Sequence, residues 1–437
     1  MVKSLLKKII SVLLKFEARL VLKKYKPKII GITGTVGKTS AKDAIYTVLQ
    51  GEYSVRKSEK SYNSELGVPL TILGAKTAWN NIFGWLKIFF DGARILIKKS
   101  PYPEWLVLEM GIDRPGDMAK LIRWVKPRIG VVTALGETPV HIEFFKNAED
   151  LFREKEKLIE ILGDKDFAVL NGDDKRALDL MGKTKAQILT YGVVGEGENN
   201  NFDIIASSYK IFSKNGNDID NPEGIIFKLE HKGNIVPVKM PGFGKQIVYS
   251  ALAAAGVGVS LGINLVKISE ALGSYKSPPG RLNIIEGIKN SLILDDTYNA
   301  SPLALAAAID VLNEIHCKRR VAILGDMLEL GKYTAEEHRK VGAMAKKKFD
   351  ILVAIGPRAK LMAEEARALR FGVKKIFEFQ NSEEAKEKVA KLIQEGDLVL
   401  VKGSQGMRME RVVKALMAHP EEALSLLARQ EKEWKGR

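Results

Sequence analysis

The chain has 437 residues, of which 46% are hydrophobic and 28% charged. This length excludes a single small module and allows two or three domains with cores of their own, and the mixed composition excludes a disordered chain. A net charge of +16 favours anionic partners such as nucleotides, phosphorylated substrates, nucleic acid or an anionic membrane surface, without choosing among them. The lone Cys317 cannot form an internal disulfide, so we expect a reducing compartment, the cytoplasm.

Residues 1–27 predict a basic amphipathic helix. Apolar residues between Val2 and Leu20 recur at helical spacing, and lysines interrupt every apolar run before it could span a bilayer. No small-residue cleavage site follows, so we expect neither a transmembrane helix nor a secretory signal. Two interpretations stay open: the helix packs on the next domain, or it lies on a membrane.

Two α/β domains are predicted to follow. From KIIGIT at residue 28 to FAVLN at residue 167, strand-like runs alternate with helical stretches, which predicts a P-loop-type parallel sheet domain over residues 28–279. Between about Gly195 and Pro241 the pattern predicts antiparallel hairpins, an excursion within that domain. The segment SPPGR, which ends at Arg281, predicts a hinge, and residues 280–437 predict a Rossmann-like α/β domain.

The strongest functional signal is GITGTVGKTS, in which a strand runs into a glycine-rich turn and then a helix. Backbone N–H groups at such a turn surround phosphate oxygens, and the helix N-terminus adds partial positive charge. Lys38 would reach the outer phosphates, and the Thr39 hydroxyl would ligate Mg²⁺. The alternative is an incidental glycine-rich turn. The predicted nucleotide-binding loop comprises Gly34, Thr35, Val36, Gly37, Lys38, Thr39 and Ser40.

The loop has the form T-G-T-x-G-K-T, which resembles that of the Mur ligases of cell-wall precursor synthesis, and five more segments extend the resemblance over nearly the whole chain. They are NSELGVPLTIL from Asn63, EMGIDRPGDM from Glu109, HIEFF from His141, DDTYNASP from Asp295 and LGDMLELG from Leu324. The last two resemble the branch that adds D-alanyl-D-alanine to a muramoyl-tripeptide, the MurF type. The resemblance implies an ATP- and Mg²⁺-dependent ligase that joins D-Ala-D-Ala or a related amine to a peptidoglycan-precursor carboxylate through an acyl phosphate.

The resemblance also implies a metal site with two Mg²⁺ ions. Thr39 and Glu109 would hold one ion, and His141 and a carbamylated Lys155 would hold the second. Each of the last three residues also has a structural interpretation. Glu109 could be a solvated carboxylate at a strand end, His141 a structural histidine, and Lys155 part of a solvated helical face.

Other residues match positions that bind the nucleotide or the amine in the family. Arg281 would cross from the domain junction to the γ-phosphate and act in catalysis, since its fork of donors fits phosphoryl oxygens. Asp296 would take the ribose hydroxyls, with Tyr298 and Asn299 lining the same site. Lys402 would lie near the incoming amine, or it is a surface lysine.

Three features depart from the family pattern. Only residues 1–30 precede the loop, whereas MurF-type enzymes carry a UDP-sugar-binding domain there. We therefore expect the usual sugar-nucleotide binding site to be missing. The family's G-x-H-N-x-x-N, whose asparagine approaches the adenine, corresponds here to GKQIVYS, so Gln246, Ile247 and Ser250 replace the expected residues. An extra segment over residues 78–103 predicts a second basic amphipathic helix. Residues 1–26 and 79–99 would then pack together and either replace the missing domain or touch the inner membrane face. The alternative is that they simply pack against each other and the core.

Two other functions remain as alternatives. One is a non-catalytic or regulatory Mur-like ATP-binding subunit, although the retained charges of Lys38, Glu109 and Arg281 argue against it. The other is a basic P-loop NTPase that acts on nucleic acid, which the net charge allows. The chain has no RNP-like, zinc-finger or helix-turn-helix signature, so we expect no nucleic-acid partner.

Overall fold

The computed structural model describes residues 2–59, 66–136, 142–195, 201–213, 222–431 and 434. Two α/β units follow one another along the chain, each a sheet with helices on both faces. The α/β fold class predicted from the alternating pattern is confirmed.

Within the described residues, nine strands form the first sheet in the order β2-β3-β1-β4-β5-β6-β7-β8-β9. The strands from β2 to β7 pair in parallel, and β7, β8 and β9 pair antiparallel. The predicted hairpins are therefore present, and they extend the parallel sheet at one edge. The strands are β1 Lys28–Thr33, β2 Val55–Lys57, β3 Trp105–Glu109, β4 Ile129–Val132, β5 Phe167–Asn171, β6 Gln187–Val193, β7 Ile204–Ser213, β8 Pro222–His231 and β9 Asn234–Pro241.

Two hydrophobic cores cover the faces of this sheet because successive side chains of a strand point to opposite sides. Ile29 belongs to one core, and its neighbour Ile30 belongs to the other. Helices α2, α8 and α9 pack on the Ile30 side, while α1, α3, α4, α5, α6 and α7 pack on the Ile29 side. The helices are α1 Val2–Tyr25, α2 Lys38–Leu49, α3 Gly67–Leu73, α4 Ile82–Ile97, α5 Asp117–Ile122, α6 Ala148–Glu160, α7 Lys175–Leu178, α8 Lys245–Ser260 and α9 Leu265–Gly273.

The second sheet has six strands in the described part of the chain, in the order β10-β11-β15-β12-β13-β14, and only β10 runs antiparallel to its neighbour. The strands are β10 Asn283–Gly287, β11 Ser291–Asp296, β12 Arg319–Gly325, β13 Ile351–Ile355, β14 Ile376–Phe379 and β15 Asp397–Lys402. The predicted boundary at residues 279/280 lies between α9 and β10, where the chain passes from the first unit to the second.

Helices again cover both faces of the second sheet. Helices α10 to α12 share one core with Leu324, and α13 to α15 share the other with Ile323. The helices are α10 Pro302–Glu314, α11 Thr334–Lys348, α12 Lys360–Ala368, α13 Ser382–Ala390, α14 Glu410–Leu416 and α15 Ala423–Leu426.

The N-terminal helix packs on the first unit, as one interpretation of residues 1–27 expected. Leu14 and Ala18 of α1 are fully buried in the same core as Trp85 of α4. The second amphipathic helix predicted for the extra segment is also present, as α4. No helix in the described ranges combines the length and the apolar character needed to cross a membrane.

Candidate active site

The glycine-rich turn leaves β1 at Thr33 and enters α2 at Lys38. Gly34 and Gly37 have φ values of +147° and +87°, a region that favours glycine. A Cβ added at Gly34 would lie 2.0 Å from Thr133 Oγ1, so a side chain there would clash. Both glycines are therefore needed for the turn that brings N–H groups to the start of α2.

Residues after β4 hold the turn from the neighbouring strand. The Thr35 N–H donates to Ala134 O at 2.7 Å, and Thr133 Oγ1 donates to Val36 O at 2.7 Å. Thr35 Oγ1 donates to Leu135 O at 2.6 Å. These bonds hold the turn in place, and no pattern in the sequence indicated the role of Thr133.

Lys38 lies over the turn. Its Nζ donates to Gly34 O at 2.8 Å and to Thr35 O at 3.3 Å. Burial lowers the pKa of Lys38, with nearby Arg281 acting in the same direction and Glu109 opposing it. The ammonium can exchange these carbonyl contacts for phosphate oxygens, which would offset the cost of its burial.

Three residues from separate elements meet at the start of α2. The parallel register places Glu109 beside Ile32, next to the turn. Thr39 Oγ1 donates to Glu109 Oε2 at 3.0 Å, and Arg281 Nη2 donates to Thr39 Oγ1 at 3.4 Å. Glu109 is only 2% exposed, so the alternative of a solvated strand-end carboxylate is wrong.

Lys155 of α6 reaches the same turn from another side. Its Nζ donates to Thr35 Oγ1 at 2.8 Å, and the residue is 6% exposed, so the alternative of a solvated helical face is wrong. Burial, followed by the positive charge of Lys38, lowers the pKa of Lys155 well below its ordinary value. The neutral amine of Lys155 is therefore easier to form near neutral pH than that of an ordinary lysine.

His141 lies outside the described residues. The short 3-10 helix Ile142–Phe144 follows it directly, and Glu143 Oε1 accepts a hydrogen bond from the Gly331 N–H at 3.3 Å. Two segments that resemble the family, HIEFF and LGDMLELG, are therefore in contact across the two units.

The residues at the turn fit Mg²⁺. Thr39 and Glu109 present a hydroxyl and a carboxylate, the hard oxygen donors that this ion prefers, and phosphate oxygens and water usually complete such a site. No group of three or more His, Cys, Asp or Glu residues suited to a metal is found within the described residues, a set that omits His141. The chemistry of the donors thus fits an ion held jointly with a nucleotide.

The second unit contributes a buried ion pair at the ends of two strands. Asp296 and Lys402 are neighbours in the register of β11 and β15, and Lys402 Nζ pairs with Asp296 Oδ2. Lys402 also donates to Asn299 O at 3.0 Å. It is 2% exposed, so the alternative of a surface lysine is wrong.

Two arginines contact the ring of Tyr298. The guanidinium carbon of Arg281 is 4.2 Å from the Tyr298 ring centre, and that of Arg429 is 5.2 Å away. Arg429 Nη1 donates to Thr297 O at 3.2 Å and pairs with Glu410 at 3.0 Å, and its Nη2 donates to Tyr298 O. Arg429 thus holds the backbone around the predicted ribose site, although sequence reasoning did not identify it.

A cleft of about 980 Å³ opens between the units beside the turn. Thr35 and Gln246 line it from the first unit, and Leu303 and Lys340 line it from the second. Of the three positions that depart from the family pattern, Gln246 lines this cleft, whereas Ile247 and Ser250 are buried residues of α8.

Two more charged residues were not identified from the sequence. Asp174 Oδ2 accepts hydrogen bonds from the Leu135 and Gly136 N–H groups at 2.7 and 2.9 Å. Lys42 is 1% exposed, one helical turn after Lys38. The position of Asp174 just after strand β5 was the available signal, because ligand sites gather at the carboxyl ends of parallel strands.

Comparisons with known proteins show which family the chain resembles. The family model of the Mur ligase middle domain matches residues 94–258, and that of the Mur ligase, glutamate ligase domain matches residues 280–405. A UDP-N-acetylmuramoyl-tripeptide--D-alanyl-D-alanine ligase of Bacillus subtilis is 28% identical over 395 residues, which cover 90% of this chain and 76% of the relative. The protein of the same name from Escherichia coli is 27% identical, with 89% and 76% covered.

A solved structure extends the similarity to three dimensions. The MurF ligase of Thermotoga maritima in complex with ADP superposes with a TM-score of 0.74 at 26% identity, covering 94% of this chain and 84% of that one. Matched domains in both units, relatives aligned over nine-tenths of the chain and this shared fold lead to one conclusion: the chain belongs to the Mur ligase family.

Proposed function

We propose that the chain is an ATP- and Mg²⁺-dependent ligase of the MurF type, which joins D-Ala-D-Ala or a related amine to a carboxylate of a peptidoglycan precursor. One observation carries this proposal: Thr39, Glu109 and Arg281 come from three separate elements and meet at the glycine-rich turn. The relatives named for this reaction support the choice of substrates.

The reaction would proceed in two displacements. A carboxylate oxygen of the acceptor attacks the γ-phosphorus of ATP, ADP leaves, and an acyl phosphate forms. The amine nitrogen then attacks the acyl carbon, phosphate leaves, and the nitrogen loses a proton. Negative charge gathers around the γ-phosphate in the first step, so positioning and charge neutralisation dominate catalysis. Lys38, Arg281 and the N–H groups of Gly34–Ser40 would supply that neutralisation.

Thr39 and Glu109 would hold one Mg²⁺, and His141 and Lys155 a second. Magnesium supplies charge neutralisation at the phosphate oxygens. The lowered pKa of Lys155 supports its carbamylation, because the neutral amine is the form that reacts with CO₂. A carbamate carries a negative charge and oxygen donors, which suit Mg²⁺ better than an ammonium.

Asp296, Tyr298 and Asn299 would bind the ribose side of the nucleotide. Lys402 would orient Asp296 through their ion pair, and Arg429 would position Tyr298 through its backbone. Gln246 would face the nucleotide base, since it lines the cleft between the units.

We propose that the enzyme works in the cytoplasm and touches the inner face of the membrane peripherally through residues 1–26 and 79–99. The two amphipathic helices in these ranges support that contact.

Phosphate release from ATP, with each substrate omitted in turn, tests the ligase. We expect release only when a muramoyl-tripeptide acceptor and D-Ala-D-Ala are both present. Thr39→Ala should abolish release, whereas Thr47→Ala, a matched change on the same helix whose hydroxyl donates to Asp43 O at 2.9 Å, should retain it. Release that needs neither substrate, or that survives Thr39→Ala, would contradict the proposal.

A further inference from the structure

The N-terminal helix α1 carries two apolar stripes, and packing explains only one. Ile10, Leu14, Ala18 and Val21 are buried in the core of the first unit. A second set recurs at helical spacing on an exposed face, with Phe16 60% exposed. The exposed set comprises Leu6, Ile9, Val12, Leu13, Phe16 and Leu20.

Helix α4 has the same two-sided character. Trp85, Ile88 and Gly92 are buried against the core. The opposite side exposes Phe83 at 78%, Phe90 at 72% and Ile97 at 82%, together with Ile82 and Leu86. Single exposed apolar residues need no explanation, but two adjacent stripes amount to an apolar patch of the kind that marks an interaction surface.

The two helices that carry the exposed stripes are neighbours. Glu17 lies against Gly92, where an added Cβ would be 2.4 Å from Glu17 Oε2. Further along both helices, Lys24 Nζ donates to Ile95 O at 2.8 Å, so the helices run side by side in the same direction. In each helix the exposed stripe lies on a different side from the buried residues, so both stripes face away from the core.

The charges around this surface fit an anionic bilayer. Helix α1 has seven lysines and arginines against one acidic residue, and that residue, Glu17, is turned towards Gly92. Lys87 and Lys98 are exposed beside the stripe of α4. Long lysine side chains can reach the headgroups while apolar side chains enter the acyl region, which is how interfacial amphipathic helices bind anionic membranes.

Contacts connect this surface to the candidate active site. Trp85 Nε1 donates to Trp79 O at 2.9 Å, and the Trp79 ring meets the Trp434 ring edge-on at 5.9 Å. The guanidinium carbon of Arg429 is 5.9 Å from the Trp434 ring centre and also faces Tyr298, which lies beside Arg281. A chain of ring contacts therefore links the segment just before α4 to the residues proposed to bind the nucleotide.

We infer that the exposed stripes of α1 and α4 form one surface that lies on an anionic bilayer and that the carboxylate acceptor is carried on a lipid in that bilayer, an inference that rests on the proposed ligase function. Docking through this surface holds the cleft close to the headgroups. A lipid-carried peptide then reaches the γ-phosphate without leaving the membrane, and its effective concentration at the site rises.

Vesicle sedimentation tests the surface. The full chain should sediment with phosphatidylglycerol-containing vesicles but not with pure phosphatidylcholine, and added salt should release it because exposed charges are screened. Phe83→Ser/Phe90→Ser should weaken binding by about tenfold or more. Val373→Ser, a matched control at 73% exposure on the second unit, should leave binding unchanged.

Kinetics with two acceptors test the substrate class. The probes are a tripeptide with a palmitoyl chain in phosphatidylglycerol vesicles and the same tripeptide without the chain in solution. The wild type should use the lipidated peptide with a kcat/KM at least about tenfold higher. Phe83→Ser/Phe90→Ser should lose this preference and keep its rate with the soluble peptide.

Three results would overturn the inference. The first is no sedimentation with anionic vesicles, and the second is equal kcat/KM for both acceptors. The third is a wild-type dimer in light scattering that Phe83→Ser/Phe90→Ser converts to a monomer, which would mean that a second copy covers the stripes. Sedimentation without phosphate release from either acceptor would instead remove the ligase proposal, and the lipid-carried acceptor with it.

Discussion

Replacing Glu17 by glutamine should stabilise the protein above neutral pH. Glu17 lies between α1 and α4, and its buried Oε2 meets no hydrogen-bond donor among the described residues. Burial raises the pKa of this carboxyl from 4.5 to about 7. The folded state therefore resists ionisation of Glu17, and the unfolded chain does not.

The magnitude follows from that pKa difference. Each pKa unit corresponds to about 1.4 kcal/mol, so a fully shielded carboxyl would lower the free energy of unfolding by about 3 kcal/mol. The side chain is partly exposed, and solvent screening reduces the expected value to about 1–2 kcal/mol. Below pH 4.5 both states are protonated and the penalty is absent; it grows as the pH rises and is complete above pH 7.

Urea denaturation of wild type and Glu17→Gln from pH 5 to pH 8, followed by tryptophan fluorescence, measures this effect. We expect the gain in the free energy of unfolding to rise with pH and to level off above pH 7. Asp91→Asn, an exposed acid on α4, is the matched control and should show no such rise. A gain that is constant across the pH range, or absent at pH 8, would refute the account of a desolvated carboxylate.

Four further experiments test the buried ion pair, the packing of α1, the role of Arg281 and the need for a metal. Lys402→Met should lower the free energy of unfolding by about 3–5 kcal/mol, because it leaves the buried Asp296 carboxylate without its ammonium partner. In chemical denaturation, Lys402→Met/Asp296→Asn should recover most of this loss. Equal losses in the single and the double variant would contradict the ion pair. Leu14→Ala should cost about 2–5 kcal/mol in the same assay, and a loss near zero would mean that α1 does not pack on the core. Arg281→Lys should lower kcat/KM by about 10–100-fold with an unchanged circular dichroism spectrum, since an ammonium cannot present the planar fork, and full activity would exclude a phosphate contact. EDTA should stop phosphate release and added Mg²⁺ should restore it; activity that survives EDTA would remove the metal from the proposal.

Local patterns in the sequence predicted most of the individual elements. KIIGIT forms β1 over the same six residues, and FAVLN forms β5 over the same five, because β-branched runs bounded by turn residues have few other ways to pack. The glycine-rich turn was equally predictable, since its two positive φ values restrict the choice of residue.

Contacts between distant parts of the chain could not be predicted in this way. The antiparallel pattern of β7 to β9 did not indicate that these strands extend the parallel sheet, because strand order depends on long-range pairing. Arg429 contacts Tyr298 across more than a hundred residues and lies beyond the last segment that resembles the family. The position of Glu17 against Gly92 depends on how two separate helices pack, which no local pattern shows.

In the proposed reaction a carboxylate attacks ATP at the glycine-rich turn to form an acyl phosphate. The most direct measurement uses an acceptor whose carboxylate carries ¹⁸O, with ATP and D-Ala-D-Ala, and mass spectrometry of the released phosphate. We expect each released phosphate to carry one oxygen from the acceptor. Unlabelled phosphate, with its new oxygen taken from water, would contradict it and leave only an ATPase.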